Sequence, residues 1–283
     1  MGIWAGYFGG EYKFDLESEM GSEFTTAFGG VTDSPEGSEN YPIYFFGAFH
    51  GTFDNEDQNA GNVDADASGV WISEQGQQEQ FVRVGVIEGQ ASGNFSAGEG
   101  SSGELQLSGV GDWTGVANLQ ADVINLTQIQ DILSSAAISE IGNTLAQGEG
   151  SFSEGQGNIT GTMNASFYTG LNDLSGIWSA LFNGTYSGLP EGGSSWTATF
   201  TAPGADLPVT ALLTSVDGFN QNGGQWLANV SGTFGENISV FTGQAGGSFT
   251  PNVADSTSGI FSGVGVGTWQ EAPPGPPCGG ECT

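Results

Sequence analysis

The chain has 283 residues, with 32 acidic side chains against two basic ones, Lys13 and Arg83, for a formal net charge of −30 at pH 7. Such a surface repels nucleic acid and anionic membrane, which excludes both as partners, and no apolar run reaches the roughly 18–20 residues that a membrane-spanning helix needs. Fifty glycines stand beside 19 Phe, seven Trp and six Tyr, so the glycine content comes with enough aromatic bulk for a packed core.

Residues 2–12 read Gly-Ile-Trp-Ala-Gly-Tyr-Phe-Gly-Gly-Glu-Tyr. They predict a strand, a two-residue turn at Gly9-Gly10 and a second strand opening on an aromatic. Further strands are expected at 23–28, 43–53, 69–73 and 80–87. The segment 41–53 carries six aromatics on both faces, as a central strand buried on both sides would.

Residues 54–69 are the sharpest chemical signal. Asp64, Asp66 and Ser68 followed by Gly69 reproduce the D-x-D-x-S-G opening of a calcium loop, in which oxygens at alternate positions wrap a hard cation and the glycine permits the turn. Asp54 and Asp57 precede them as further candidate ligands, and Ca²⁺ is the expected ion. The twelfth loop position is Gln75 and not the usual bidentate Glu, and the alternative is a solvated acidic loop.

Residues 114–175 form a connector. Ile129, Ile132, Leu133, Ala136, Ile141 and Leu145 fall near helical spacing, which predicts a helix over about 127–146 with Thr127 as N-cap. A strand pair around 157–168 leads out of it. Residues 176–186 then repeat the opening pattern as Gly-Ile-Trp-Ser-Ala-Leu-Phe-Asn-Gly-Thr-Tyr, with Asn183-Gly184 as a type I′ turn. Strands are expected at 195–201, 208–215, 225–233 and 237–242.

The repeat continues in order. Ser22–Phe28 matches Ser194–Phe200, Gly89–Phe95 matches Gly243–Phe249, and Ser108–Gly111 matches Ser262–Gly265. Trp4, Trp71 and Trp113 pair with Trp178, Trp226 and Trp269, and Trp196 faces Phe24. The expectation is an all-β fold of two duplicated antiparallel units, barrel or sandwich, at 1–113 and 176–270, with the 54–69 segment as an insertion special to the first. A Pro/Gly/Cys tail, 271–283, holds Cys278 and Cys282, candidates for a small disulfide or a link between chains.

Catalytic sets are hard to assemble. His50 is the only histidine and no cysteine lies in the body of the chain, which rules out the usual nucleophilic triads. No glycine-rich stretch is followed by the lysine of a phosphate loop. The chain is therefore read as no enzyme.

The run G-I-W-x-x-x-F-x-G-x-Y, S-x-W-T-x-x-F, G-Q-W-L-A-N-V-S-G, G-Q-A-G-G-S-F and S-G-V-G-V-G-T-W resembles the Gly/Trp-rich repeat regions of large secreted bacterial proteins that also carry a FecR-type domain. The resemblance covers 176–269 and part of 1–113. It implies an exported, surface-associated bacterial parent, and it carries over no functional residue. The resulting expectation is an extracellular structural protein, a self-assembling and cation-stabilised subunit of a surface filament, sheath or matrix. The alternative is an adhesin or carbohydrate-binding module whose partners are glycans.

Overall fold

The computed structural model describes residues 2–13, 23–33, 42–53, 60–74, 80–97, 102–134, 138–170, 174–235 and 239–272. The fold is all-β with one short helix. Six strands, β1 (Gly2–Lys13), β2 (Glu23–Asp33), β3 (Pro42–Phe53), β4 (Ala60–Glu74), β5 (Phe81–Ala97) and β6 (Ser102–Gln120), form an antiparallel sheet in the order β1-β6-β5-β4-β3-β2. After the helix α1 (Leu126–Ser134) come β7 (Ser139–Phe152), β8 (Asn158–Thr169), β9 (Ser175–Ser187), β10 (Trp196–Thr201), β11 (Val209–Asp217), β12 (Gly224–Phe234), β13 (Ser239–Asn252) and β14 (Asp255–Glu271). These eight close into an antiparallel barrel.

The barrel is filled by side chains, as an eight-stranded barrel of this size allows. Trp178, Phe182 and Tyr186 of β9 meet Phe167 of β8, Trp226 of β12, Phe241 and Phe249 of β13 and Phe261 and Trp269 of β14 in one continuous core. Bulky rings fit because the strands beside them carry glycine at inward positions. A Cβ built on Gly267 would lie 2.6 Å from Trp178 Nε1, and one on Gly265 would lie 2.9 Å from the Phe182 ring. These glycines are strand interiors under aromatic rings.

That packing overturns the predicted hairpins. β1 and β9 are each continuous strands. Asn183 and Gly184 are not a turn: Gly184 pairs with Gly161 on one side and Phe261 on the other. A Cβ at Gly184 would come 2.5 Å from the Phe261 ring, so the glycine is there for ring clearance and not for a positive φ. Leu181, which a turn at Asn183-Gly184 would set opposite Tyr186, instead pairs with Val264 and Asn164.

The helix is shorter than expected. α1 ends at Ser134, and Asn125, at φ 54°, precedes it, its Oδ1 accepting from the Gln128 N–H at 3.4 Å. Asn125, and not Thr127, is the capping residue. Ile129, Ile132 and Leu133 are buried as expected, but Ile141 and Leu145 lie on the exposed face of β7. The physical reason is tertiary: 139–152 must pair with both β8 and β10 to close the barrel, and that pairing overrides a helical pattern. β7 and β8 thus belong to the barrel and not to a separate connector.

The sheet packs one face on the outside of the barrel. Phe46, Val70, Ile72, Val84 and Leu119 of the sheet, the buried face of α1, and Tyr168, Ile177, Val264 and Val266 of the barrel form one cluster. The Phe46 ring stands edge-on to Tyr168 at 5.5 Å. At the joint, buried Gln244 accepts from the Gln120 N–H at 2.6 Å and donates to Gln120 Oε1 at 2.8 Å and Asn229 Oδ1 at 3.0 Å. The opposite face of the sheet carries its own apolar cluster, with Phe28, Phe49, Val63 and Leu107.

Candidate functional site

Strand register shows how closely the two units correspond. Trp4 pairs with Gly111 as Trp178 pairs with Gly267, and Phe8 pairs with Leu107 as Phe182 pairs with Gly263. Gly89 pairs with Gly111 as Gly243 pairs with Gly267, and Phe28 pairs with Gly47 as Phe200 pairs with Ala211. Across the next pair, Ala67 meets Gly89 as Val230 meets Gly243. β1 to β6 therefore occupy, strand for strand, the places of β9 to β14.

Two details of the sequence alignment change. Trp71 pairs with Phe45 where Phe234 pairs with Val209, so Trp71 corresponds to Phe234 and Trp226 to Val63. The acidic segment is no insertion either, because β4 from Val63 to Trp71 matches β12 from Trp226 to Phe234 in register.

The correspondence ends at the edges. In the barrel, β9 pairs with β8, β8 with β7 and β7 with β10, so a hairpin bridges the first and second strands of the unit. In the first unit β1 pairs with β6 alone and β2 with β3 alone among the described residues. Backbone donors and acceptors along two strands of 12 and 11 residues thus face outward at the flanks of the sheet. An edge of that length is a template for another strand.

The second candidate is a polar floor on the free part of the barrel-facing side of the sheet. His50 and Thr52 of β3, Asp64 and Asp66 of β4, Gln90 and Ser92 of β5 and Ser108 of β6 line a basin of about 740 Å³. His50 pairs directly with Asp66, and its Nδ1 lies 3.1 Å from Thr25 Oγ1. Glu140 of β7, within electrostatic reach of His50, has both carboxylate oxygens shut off from solvent without a well-formed hydrogen bond. Burial raises its pKa, and nearby His50 opposes part of that rise. Burial also raises Tyr168, with the Glu140 charge adding to it.

The calcium-loop geometry fails. Asp64, Asp66 and Ser68 are alternate, exposed residues of a regular strand, with buried Ala65 and Ala67 between them. An extended backbone sets successive same-face residues roughly 6.5–7 Å apart and cannot curl them around one ion as a loop does. No cluster of three His, Cys, Asp or Glu residues suited to a metal occurs among the described residues. Asp54, Asp57, Cys278 and Cys282 lie outside the described residues. The open edges were missed because their signal is a comparison, visible only when both units are laid out in register.

The chain matches no protein-family model and no curated protein sequence.

Proposed function

We propose that this chain is a non-enzymatic, extracellular structural protein, a subunit of a bacterial surface filament, sheath or matrix that joins its neighbours by strand addition. The observation that carries the reading is that β1 and β2, the end strands of a unit whose duplicate is closed, each pair with one strand among the described residues. Main-chain hydrogen bonding along such an edge supplies affinity, and alternate side chains supply specificity. A chain with two basic residues in 283 offers trypsin-like proteases almost no cleavage sites, which suits exposure outside a cell. Its charge of −30 calls for screening by salt or divalent cations whenever subunits approach. The resemblance to repeat regions of secreted bacterial proteins supports the same setting.

The test is negative-stain microscopy of native cell-surface material carrying the chain, with and without a chelator. The chain is expected in ordered polymers whose integrity depends on cations. Recovery of the chain only as free monomer at high concentration in Ca²⁺ overturns the reading.

A second reading rests on the polar basin. Hydroxyl, amide and carboxylate groups around His50, Asp66 and Gln90 offer the donors and acceptors that a glycan needs. A glycan array probed with the chain, wild type and Asp66→Ala, separates the two: a defined glycan lost on substitution favours the binding module.

A further inference from the structure

We infer that copies of this chain assemble head to tail, the outer face of the barrel at β10, β11 and β12 of one copy seating in the polar basin of the next. This rests on the assembly reading above and adds a contact separate from the strand edges.

The two units of one chain already meet in this way. The barrel's half of their joint includes Leu227 of β12, Gln244 and Gly246 of β13 and Val264 and Val266 of β14. Gly246 lies so close to β6 that a Cβ there would stand 3.1 Å from both the Ala117 Cβ and the Leu119 side chain. Register gives these five residues counterparts in the sheet: Asp64, Gln90, Ser92, Ser108 and Val110. All five counterparts are exposed, and all five line the basin. The basin is therefore the barrel's docking patch repeated on the first unit, with its floor open to solvent.

The sheet's half of the joint is repeated as well. Phe46 and Ala48 of β3 and Val70 of β4 belong to the cluster that the sheet forms with the barrel. Thr210, Leu212 and Thr233 hold their places on the second unit, in register with Thr201, Thr199 and Ser231. These six are exposed or half-exposed. Each unit thus carries both halves of one contact, and the chain joins one half from each unit. The halves are unlike, so every copy keeps one basin and one barrel face free. A contact between unlike patches repeats into a ring or an open filament.

The chemistry of both free halves has changed together. Where the barrel places Leu227, Gly246 and Val264, the basin has Asp64, Ser92 and Ser108; where the sheet places Phe46 and Val70, the barrel face has Thr210 and Thr233. Threonine hydroxyls donate to carboxylates. Gln90 keeps the amide with which Gln244 bonds to Gln120 across the joint. Permanent interfaces are apolar, whereas subunits that are also stable apart need both faces wettable. The six residues of the barrel face carry no charge, so on a chain of net −30 they add none beside Asp64 and Asp66.

Two variants of the full chain test this. Ser92→Trp fills the basin and leaves the barrel face; Thr210→Glu with Thr233→Glu charges the barrel face and leaves the basin. In sedimentation velocity at about 0.15 M salt, wild type should gain mass with concentration, with Kd on the order of 100 µM. Each variant alone should stay monomeric. Their equal mixture should give one-to-one dimers and nothing larger, because one intact basin meets one intact face. Ser108→Trp or Thr201→Glu replaces any variant whose melting curve has moved. Wild type that stays monomeric at about 1 mM, variants that associate as wild type does, or a mixture that stays monomeric overturns the inference. Native polymers that take up both variants unchanged leave the assembly reading standing and remove this contact. Dimers in the mixture, beside native material that holds only monomer, keep the contact and remove the filament.

Discussion

Trp113 stands edge-on to Trp71, ring centroids 5.1 Å apart at 85°, and Trp269 stands edge-on to Phe234 in the same way, 5.3 Å apart at 88°. The two pairs occupy matching register positions in β6 with β4 and in β14 with β12. An edge-to-face pair of this kind contributes about 0.5–1.5 kcal/mol beyond its buried area. The difference lies in what surrounds each pair: the indole of Trp269 is tied to β8, and among the described residues no strand takes the place of β8 beside β1.

Trp269→Phe and Trp113→Phe should therefore have unequal costs. Each keeps a ring in the aromatic pair. Trp269→Phe removes the buried bond to the Tyr168 carbonyl and leaves that acceptor unpaired, at about 1–3 kcal/mol. Trp113→Phe should cost well under that in the free chain. Urea unfolding followed by the remaining tryptophans measures both; equal losses would mean that the bond from Trp269 to the Tyr168 carbonyl contributes nothing to stability.

Gln244→Leu should destabilise the joint between sheet and barrel. The substitution keeps similar volume but takes the acceptor from the half-buried Gln120 N–H and ends the bond to the exposed Asn229 side chain. Leaving such groups unsatisfied costs about 1–3 kcal/mol. Denaturation monitored separately by sheet and barrel probes should also show the two bodies melting less cooperatively. An unchanged midpoint would mean that the apolar cluster alone holds them together.

Strand content and the sense of duplication were legible because they rest on local chemistry: period-two alternation around Trp178, Ala180 and Phe182, and ordered repeats of Trp and Gly. Glycine misled. The sequence pattern treats Asn183-Gly184 as punctuation, whereas the cause of that glycine is Phe261 on another strand, 77 positions away and invisible locally. The same holds for Ile141 and Leu145, whose helical spacing yields to the pairing of β7 with β8 and β10. Asp64, Asp66 and Ser68 read as a loop because D-x-D-x-S-G fits a loop and an exposed strand face equally well. Which it is depends on β3 and β5 flanking it.

Gly267→Val should be among the more damaging single changes. Its Cβ would press on Trp178 Nε1, whose bond to the Thr242 carbonyl at 2.9 Å fixes the ring. Overpacking of this sort costs roughly 1–3 kcal/mol, and loss of the indole bond adds to it. Thermal unfolding would detect a fall of several degrees, at about 2–4 °C per kcal/mol for chains of 150–250 residues. Gly204→Val is the control, since no atom lies within 4 Å of a Cβ there.

Glu140→Gln should stabilise the protein at neutral pH. Burial raises the folded pKa of Glu140 above its unfolded value, so between the two the folded state holds a proton that the unfolded state has lost. Stability from this group accordingly falls as pH rises through that window, from the unfolded value upward, and stays low above it. Glutamine has no proton to lose. The melting temperature of Glu140→Gln should exceed that of wild type at pH 7, and the gap should close below pH ~4, under the ordinary carboxylate range. A gap that persists in acid would assign the effect to packing and not to charge.

Cation dependence should be diffuse. With 32 acids and two bases, self-repulsion is spread over the surface, and salt at about 0.15 M already shortens its range to about 8 Å. Raising NaCl should raise the melting temperature, and Ca²⁺ at matched ionic strength should do little more. Asp64 and Asp66 extend from alternate positions of a regular strand and cannot fold around an ion, so the Asp64→Asn, Asp66→Asn double variant should keep the whole Ca²⁺ response. It should even gain slightly in stability at low salt, because two neighbouring like charges are gone. If the double variant instead loses a Ca²⁺-specific increment that NaCl does not reproduce, the carboxylates act as ligands in the intact molecule, and the strand must recruit further oxygens from outside the described residues to do so.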